Sequence, residues 1–227
     1  SSLAKDISEY LATLDLPVDS ANGKASALLI AAEFALQGGD AAKATADYAE
    51  AAQISNDPAI ARRALQLALV THDTHAAQRM LDRYQALGAS AHDLAMARGQ
   101  LAMSRGDRAA AEQQFRGVLA SGTVDEWKTF AASLLTARDS ALAGRVLEDL
   151  ATPDRLPADA GVWVALSQLG EHLGRHAFAR KLADAAAQRF DDNDSIAWAA
   201  SLRASIGDRD GALALYRKGL AAHPENP

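Results

Sequence analysis

The sequence of 227 residues contains no cysteine, which excludes disulfide bonds, thiol catalysis and metal sites built from cysteine. No apolar run approaches the ~18–20 residues that a helix needs to span a bilayer. Aromatic residues make up only 5% of the chain, whereas hydrophobic residues make up 49% and are largely alanine and leucine. Such a composition favours many closely packed helices over a β-sandwich, whose strands need β-branched and aromatic residues.

Positive charge is also in short supply, because 23 lysine and arginine residues stand against 29 acidic ones and the formal net charge is −6. Binding to nucleic acid or to an anionic membrane requires a basic face, so we expect neither as a partner. The chain begins with Ser-Ser, without methionine, and shows no signal peptide. We therefore expect a processed piece of a longer protein, with room for a lipid anchor outside this fragment.

One short phrase recurs along the chain, namely a glycine and an aspartate with an alanine five residues after the glycine position. The six pairs are Gly39-Asp40, His72-Asp73, Gly106-Asp107, Arg138-Asp139, Gly174-Arg175 and Gly207-Asp208. The alanine is present every time, at Ala44, Ala77, Ala111, Ala143, Ala179 and Ala212. The spacing of 32–36 residues is that of a tetratricopeptide repeat, and the chain resembles this family over roughly residues 25–224.

The resemblance implies an all-α fold, a right-handed superhelical α-solenoid of about six helix-turn-helix repeats. The repeats are expected near 25–57, 58–91, 92–123, 124–159, 160–192 and 193–224, within an array that spans 24–224. Their twelve helices are predicted near 24–37, 41–54, 57–71, 74–87, 91–105, 108–120, 124–137, 140–150, 158–173, 176–190, 193–206 and 209–222. Residues 1–23 are predicted to form an amphipathic helix near 3–14 and a linker, with Leu3, Ile7, Leu11 and Leu14 on one helical face.

The repeat junctions follow simple stereochemistry, because glycine ends the first helix in a left-handed conformation and aspartate caps the second. His72 and Arg138 replace this glycine, so their turns are expected to be strained or differently shaped. The longest break is expected at ATPDRLPAD (151–159), whose two prolines forbid a continuous helix. After the sixth repeat only AAHPENP remains. Repeat arrays need a capping element, so either the natural chain continues or a partner covers this end.

The resemblance also implies a concave face formed by the first helix of each repeat. In the first three repeats its positions hold an apolar strip bordered by arginines. The predicted partner-binding residues are Leu29, Leu36, Arg62, Arg63, Gln66, Leu69, Met96, Gln100 and Met103. Exposed apolar strips often mark partner sites, but packing between neighbouring helices explains the same side chains equally well. In the fourth and fifth repeats the face holds Asp125, Lys128, Leu135, Val164, Gln168, Glu171 and His172.

Motifs for catalysis and metal binding find little support. The sequence has no GxGxxG, no P-loop and no GxSxG. HDTH (72–75) and the pair His172 and His176 lack a third ligand at a suitable spacing, so surface turns explain them better. DDND (191–194) lacks the glycine and the distal glutamate of a calcium loop and is better explained as a helix cap. We expect no cofactor, no metal and no enzymatic activity.

A closer resemblance lies in LLIAAEFALQGGDAAKATADYAEAAQISNDPAIARRALQLAL (28–69), which is similar to a group of proteobacterial tetratricopeptide lipoproteins. Members of that group are anchored to the outer membrane in the periplasm. One role in the group is to bind a carboxyl-terminal processing protease and to bring it cell-wall hydrolases as substrates. The resemblance implies the N-terminal part of such an adaptor, without its lipidated cysteine. A cytoplasmic location is the alternative.

Two classes of function therefore stay open. The first is a non-catalytic adaptor that holds protein partners in the concave groove. The second is a structural or self-association module of an envelope export or assembly machine. In that case the uncapped C-terminal end and the amphipathic helix near 3–14 would pair between chains.

Overall fold

The computed structural model describes residues 21–222, and within this range it contains twelve α-helices and no β-strand. The helices are α1 (Ala21–Gln37), α2 (Ala41–Ile54), α3 (Pro58–Val70), α4 (Thr74–Ala86), α5 (Ala91–Ser104), α6 (Arg108–Leu119), α7 (Val124–Leu135), α8 (Ser140–Leu150), α9 (Ala160–His172), α10 (His176–Phe190), α11 (Asn193–Ser205) and α12 (Arg209–Ala222). The predicted all-α class is confirmed, and the predicted helix boundaries agree to within three residues. The helix predicted near 3–14 lies outside the described residues.

The chain divides into two compact units, with the boundary between Arg105 and Gly106. In the first unit, α1 packs on α2, α2 on α3, α3 on α4 and α4 on α5, around a core that is rich in alanine. In the second unit, each helix from α6 to α12 packs on the next, and α7 also packs on α9. Each unit is thus a stack of antiparallel helices in which alternate helices become neighbours.

The recurring alanine allows the paired helices to approach each other closely. All six of these alanines are buried, with at most 5% of their surface exposed. In the fifth repeat the Ser167 hydroxyl of α9 donates to the Ala179 carbonyl of α10 over 2.6 Å, and the Trp198 indole of α11 donates to Ser167 over 2.8 Å. A larger side chain at Ala179 would separate these helices, which explains why the position holds alanine.

In two repeats the turn between the helices forms without the recurring glycine. His72 adopts the expected left-handed conformation, with φ of +57°, although it carries a side chain. The turn at Arg138 contains no left-handed residue, and α7 ends early at Leu135. Asp73 and Asp139 still cap the helices that follow, because their carboxylates accept hydrogen bonds from backbone N–H groups. The two substitutions therefore have different outcomes, one strained turn and one reshaped turn.

Replacing two glycines by alanine, one in the turn before α6 and one within α6, is expected to change the free energy of unfolding in opposite directions. Gly106 has φ of +73°, so Gly106→Ala is expected to lower the free energy of unfolding by about 1–2 kcal/mol. Gly117 lies within α6, where an added Cβ meets no atom within 4 Å. Gly117→Ala is therefore expected to raise the free energy of unfolding by about 0.5–1 kcal/mol. Urea denaturation of both variants checks this, and shifts in the same direction would contradict the assigned turn.

Candidate functional site

A groove with a volume of about 500 Å³ lies between α7 and α9 of the second unit. Its lining residues recur every three or four positions on each helix, so each set forms one helical face. They are Trp127, Lys128, Ala131, Ala132 and Leu135 on α7, and Gly161, Val162, Ala165, Leu166, Gln168, Leu169 and His172 on α9. The small residues of both helices leave the space that a larger side chain would fill.

The groove has an apolar floor and a polar rim. The floor residues Trp127, Val162, Leu166 and Leu169 are buried, each with at most 6% of its surface exposed. Leu135 forms an apolar wall, and 54% of its surface is exposed to solvent. The polar lining residues Lys128, Gln168 and His172 are all exposed. Among the described residues that line the groove there is no acidic side chain, so the lining itself has a positive charge.

Trp127 forms part of the groove floor and is held in place by aromatic packing. Its ring meets Phe130 edge-on with centroids 5.6 Å apart, and Phe130 in turn meets Phe115 of α6 at 5.1 Å. The indole Nε1 is buried and has no hydrogen-bond partner within residues 21–222. A buried N–H without an acceptor is costly, so this group offers a donor to a carbonyl or carboxylate that reaches it.

A second cavity of about 430 Å³ lies on another side of Trp127. It is lined by Arg116, Leu119, Ala120, Trp127, Leu150, Asp154 and Arg155. Arg155 belongs to the non-helical segment 151–159 and donates to the Asp149 carbonyl over 3.3 Å. Trp163 holds the same segment in place, because its indole donates to the Pro157 carbonyl over 2.8 Å.

An ion-pair network borders this second cavity. Arg108 contacts Asp149 at 2.6 Å and Glu112 at 3.2 Å, and Arg116 contacts Glu112 at 3.4 Å. Burial, and then a hydrogen bond with Asp149, raises the pKa of Glu112. The same hydrogen bond is the main reason why the pKa of Asp149 is lowered. The two arginines and the two carboxylates of this network therefore carry equal and opposite charges.

The nine residues predicted from the sequence lie on α1, α3 and α5 of the first unit, and the structure places them in three different environments. Arg62, Arg63 and Gln66 are exposed on α3. Leu29, Leu36 and Leu69 are half-buried and pack against the core of the unit. On α5, Met96 and Gln100 are half-buried, whereas Met103 is buried with 7% of its surface exposed. The apolar members of this set are therefore mostly engaged in packing, and Met103 offers little surface to a partner.

Two tyrosines near Arg62 and Arg63, Tyr48 and Tyr84, interact with acidic residues. The Tyr48 hydroxyl donates to Glu33, and the Arg63 guanidinium lies 6.0 Å from the centre of the Tyr48 ring. Burial, and then Glu33, raises the pKa of Tyr48. Burial and the charge of Asp93 raise the pKa of Tyr84, and Arg62 opposes this shift. Both phenols stay protonated at neutral pH and serve as hydrogen-bond donors within the unit.

The histidine and aspartate motifs have structural roles. His176 Nδ1 lies 3.0 Å from Glu171 Oε1, at the turn between α9 and α10. Asp192 caps α11 by accepting a hydrogen bond from the Ser195 N–H, as the sequence predicts for DDND. Over residues 21–222, no group of three or more histidine or acidic side chains is arranged to hold a metal ion.

The sequence does not by itself indicate the groove between α7 and α9, although four of its residues are predicted to lie on the concave face. These are Lys128, Leu135, Gln168 and His172. The sequence shows one large side chain, Leu135, among the small Ala131, Ala132 and Ala165, but the exposure of Leu135 follows only from the structure. In the described part of the chain, none of the helices combines the length and hydropathy needed to cross a membrane.

No protein-family model matches the chain, and no curated protein matches it. Among solved structures, PilF of Pseudomonas aeruginosa is similar, with a TM-score of 0.44 and 15% identity over 90% of this chain and 94% of that chain. A tetratricopeptide repeat protein of Parabacteroides merdae has a TM-score of 0.46 and 14% identity, over 90% and 79% of the two chains. YrrB, a TPR protein with an unusual peptide-binding site, has a TM-score of 0.34 and 13% identity, over 88% and 87%.

Proposed function

We propose that this chain is a non-catalytic scaffold that binds a protein segment in the groove between α7 and α9. The observation that carries the proposal is the groove itself, whose apolar floor and exposed Leu135 would bury a large side chain of a partner. Its volume of about 500 Å³ suits a short peptide segment better than a whole domain surface. Helical grooves of this kind bind amphipathic or extended segments by a few apolar anchors.

The polar residues at the rim of the groove indicate which side chains a partner would place there. Lys128 contributes a positive charge, His172 contributes an imidazole N–H donor, and Gln168 contributes an amide that can both donate and accept. An acidic residue next to the apolar anchor would therefore be favoured over a basic one. We propose a partner segment with a large apolar side chain followed or preceded by a carboxylate.

Selection of random peptides displayed on phage against the immobilised chain tests this function. We expect the enriched peptides to share an apolar residue close to an acidic one. Leu135→Glu is expected to weaken binding of the enriched peptides about tenfold or more, because burying a leucine is worth about 1.5–3 kcal/mol. Fluorescence anisotropy with labelled peptides measures the dissociation constants.

Two further variants make this test specific. Ile206→Glu is the matched control, since Ile206 is as exposed as Leu135, at 53% against 54%, and does not line the groove. Val70→Glu places the same charge on α3, beside the residues predicted from the sequence, where Val70 is 64% exposed. Binding that survives Leu135→Glu but is lost in Val70→Glu would contradict the proposal and favour the first unit.

The finer role that we propose is that of a periplasmic adaptor, which brings cell-wall hydrolases to a carboxyl-terminal processing protease. It is supported by the phrase at 28–69, which resembles lipoproteins with such a role. The same titration, with a purified protease of this class in place of the peptide, tests it.

A second candidate function is self-association within an envelope export or assembly machine. One observation favours it, namely three large apolar side chains that α12 exposes to solvent. This candidate is independent of the groove between α7 and α9.

A further inference from the structure

The non-helical segment 151–159 is longer than the other connections between repeats. It has nine residues, whereas the other four connections have two to four. The 36-residue spacing between Arg138 and Gly174, the largest in the chain, includes this segment. Stacking of the helices does not require the additional residues, and ordered loops on a rigid scaffold often carry binding groups. We therefore examine what the segment contributes to the second cavity.

Several contacts hold the segment in place at this cavity. Leu156 is buried, with 7% of its surface exposed, and the Trp163 indole donates to a carbonyl of the segment. The Arg155 N–H donates to the Thr152 carbonyl over 2.9 Å, which closes a turn. Two adjacent residues of this turn, Asp154 and Arg155, line the cavity. The longer connection thus brings one carboxylate and one guanidinium together at the cavity.

The charged groups that line the second cavity can form further hydrogen bonds. A hydrogen bond from the Thr152 side chain is the main reason why the pKa of Asp154 is lowered, so this carboxylate is ionised at neutral pH. Within the protein Arg155 donates through Nη1 and Arg116 through Nη2. A guanidinium has five N–H donors, so both arginines can also donate to a ligand.

These charges favour a ligand that carries both signs of charge. Asp154 offsets the charge of Arg155, and Glu112, which lies 3.4 Å from Arg116, offsets the charge of Arg116. A simple carboxylate would meet the like charge of Asp154, and a simple amine would meet two guanidinium groups. An α-amino acid carries its ammonium and its carboxylate on one carbon atom. It can therefore pair with the adjacent Asp154 and Arg155 at the same time.

The other lining residues indicate the side chain of such a ligand. They are apolar, namely Leu119, Ala120, Trp127 and Leu150. The cavity volume of about 430 Å³ lies in the ~300–1,000 Å³ range that is usual for small-molecule sites. A large apolar side chain would remove the apolar lining from water, whereas a small one would leave it exposed.

We propose that the second cavity binds a free α-amino acid with a large apolar side chain. The Arg155 and Arg116 guanidinium groups donate to its carboxylate, and the Asp154 carboxylate accepts hydrogen bonds from its ammonium group. Its side chain packs on the apolar lining that includes Trp127. Peptide termini share only half of this chemistry, because an N-terminus has the ammonium alone and a C-terminus has the carboxylate alone. The inference does not rest on peptide binding in the groove between α7 and α9.

Amide NMR titration of the full chain with L-leucine and three analogues tests the proposal without any variant. N-acetyl-L-leucine lacks the ammonium, L-leucinamide lacks the carboxylate, and L-alanine lacks the large side chain. We expect L-leucine to shift the amide signals of 151–156 and of the end of α6. Each analogue is expected to bind about tenfold or more weakly than L-leucine, because it loses a charge-assisted hydrogen bond or the apolar contact.

Two variants assign the groups of the ligand to residues. Arg155→Gln is expected to weaken binding of L-leucine about tenfold or more and to leave binding of L-leucinamide unchanged. Asp154→Asn is expected to weaken binding of L-leucine to a similar extent, without weakening binding of N-acetyl-L-leucine. Arg145→Gln is the matched control, because Arg145 is an exposed cation of α8 that does not line the cavity. Circular dichroism of each variant verifies that the helices are intact.

The titration distinguishes the sources of the ligand. If L-leucine shifts no signal up to its solubility limit, the proposal is wrong. Binding of L-leucinamide or of N-acetyl-L-leucine as tight as that of L-leucine would overturn recognition of a free amino acid and favour a peptide terminus. Shifts confined to α7 and α9 would overturn the assignment to the second cavity. Binding of L-leucine that is tightest among the four compounds, with shifts at 151–156, is the result that we expect.

Discussion

Trp127→Ala is expected to lower the free energy of unfolding of the chain by about 3–5 kcal/mol, the range for removing a fully buried tryptophan. Only 1% of the Trp127 surface is exposed, and its ring packs edge-on against Phe130. The loss would also open the floor of the groove into the second cavity, because Trp127 lines both. Urea denaturation followed by circular dichroism measures the change.

A comparison of Trp127 with Trp163 tests the role of the buried indole N–H. Trp163 is 2% exposed and meets Phe190 edge-on at 5.3 Å, so its packing closely matches that of Trp127. The Trp163 indole donates a hydrogen bond to the Pro157 carbonyl, whereas the Trp127 indole has no hydrogen-bond partner within residues 21–222. Trp163→Phe leaves that carbonyl without its donor, whereas Trp127→Phe removes a buried N–H that had no acceptor. We expect Trp163→Phe to cost about 1–3 kcal/mol more than Trp127→Phe. Equal costs would contradict the assigned hydrogen bonding.

Ala179→Leu is expected to destabilise the second unit by about 1–3 kcal/mol, because the added side chain has no space between α9 and α10. Ala179 is 0% exposed, and its carbonyl accepts the hydrogen bond from Ser167. Separating the helices would also disturb the hydrogen bond from Trp198 to Ser167. The tryptophan fluorescence of Trp198 should therefore change together with the unfolding midpoint.

The control for this prediction lies on the same helix. Ala177 of α10 is exposed, so Ala177→Leu adds the same atoms where they meet solvent. We expect its unfolding midpoint to stay within experimental error of the wild-type value. If Ala177→Leu and Ala179→Leu destabilise the chain equally, the recurring alanine is not the contact between the paired helices.

The helices could be predicted from the sequence because their signals are local. A small residue is needed where two helices cross, and an aspartate is needed where a helix begins, so both recur at fixed offsets. Asp40, Asp73, Asp107 and Asp139 each cap a helix as predicted. Arg175 stands in the place of such an aspartate and makes no side-chain cap, which the same rule accounts for.

The candidate site could not be predicted in the same way, because an open groove depends on which side chains fill the space between two helices. In the first unit, Leu29, Leu36 and Leu69 fill that space by packing on the core. In the second unit, Ala131 and Ala165 leave it open. The sequence places leucines and alanines at similar repeat positions, and only their packing distinguishes a filled interface from a groove.

The measurement that tests the groove most directly is a two-dimensional amide NMR titration of the chain with a peptide enriched in the phage selection. The three tryptophans give three indole N–H signals. The Trp127 indole N–H has no hydrogen-bond partner within the described residues. We expect the largest shifts in α7 and α9, together with a shift of the Trp127 indole signal. Shifts confined to α1, α3 and α5 would contradict this account and assign the binding to the first unit.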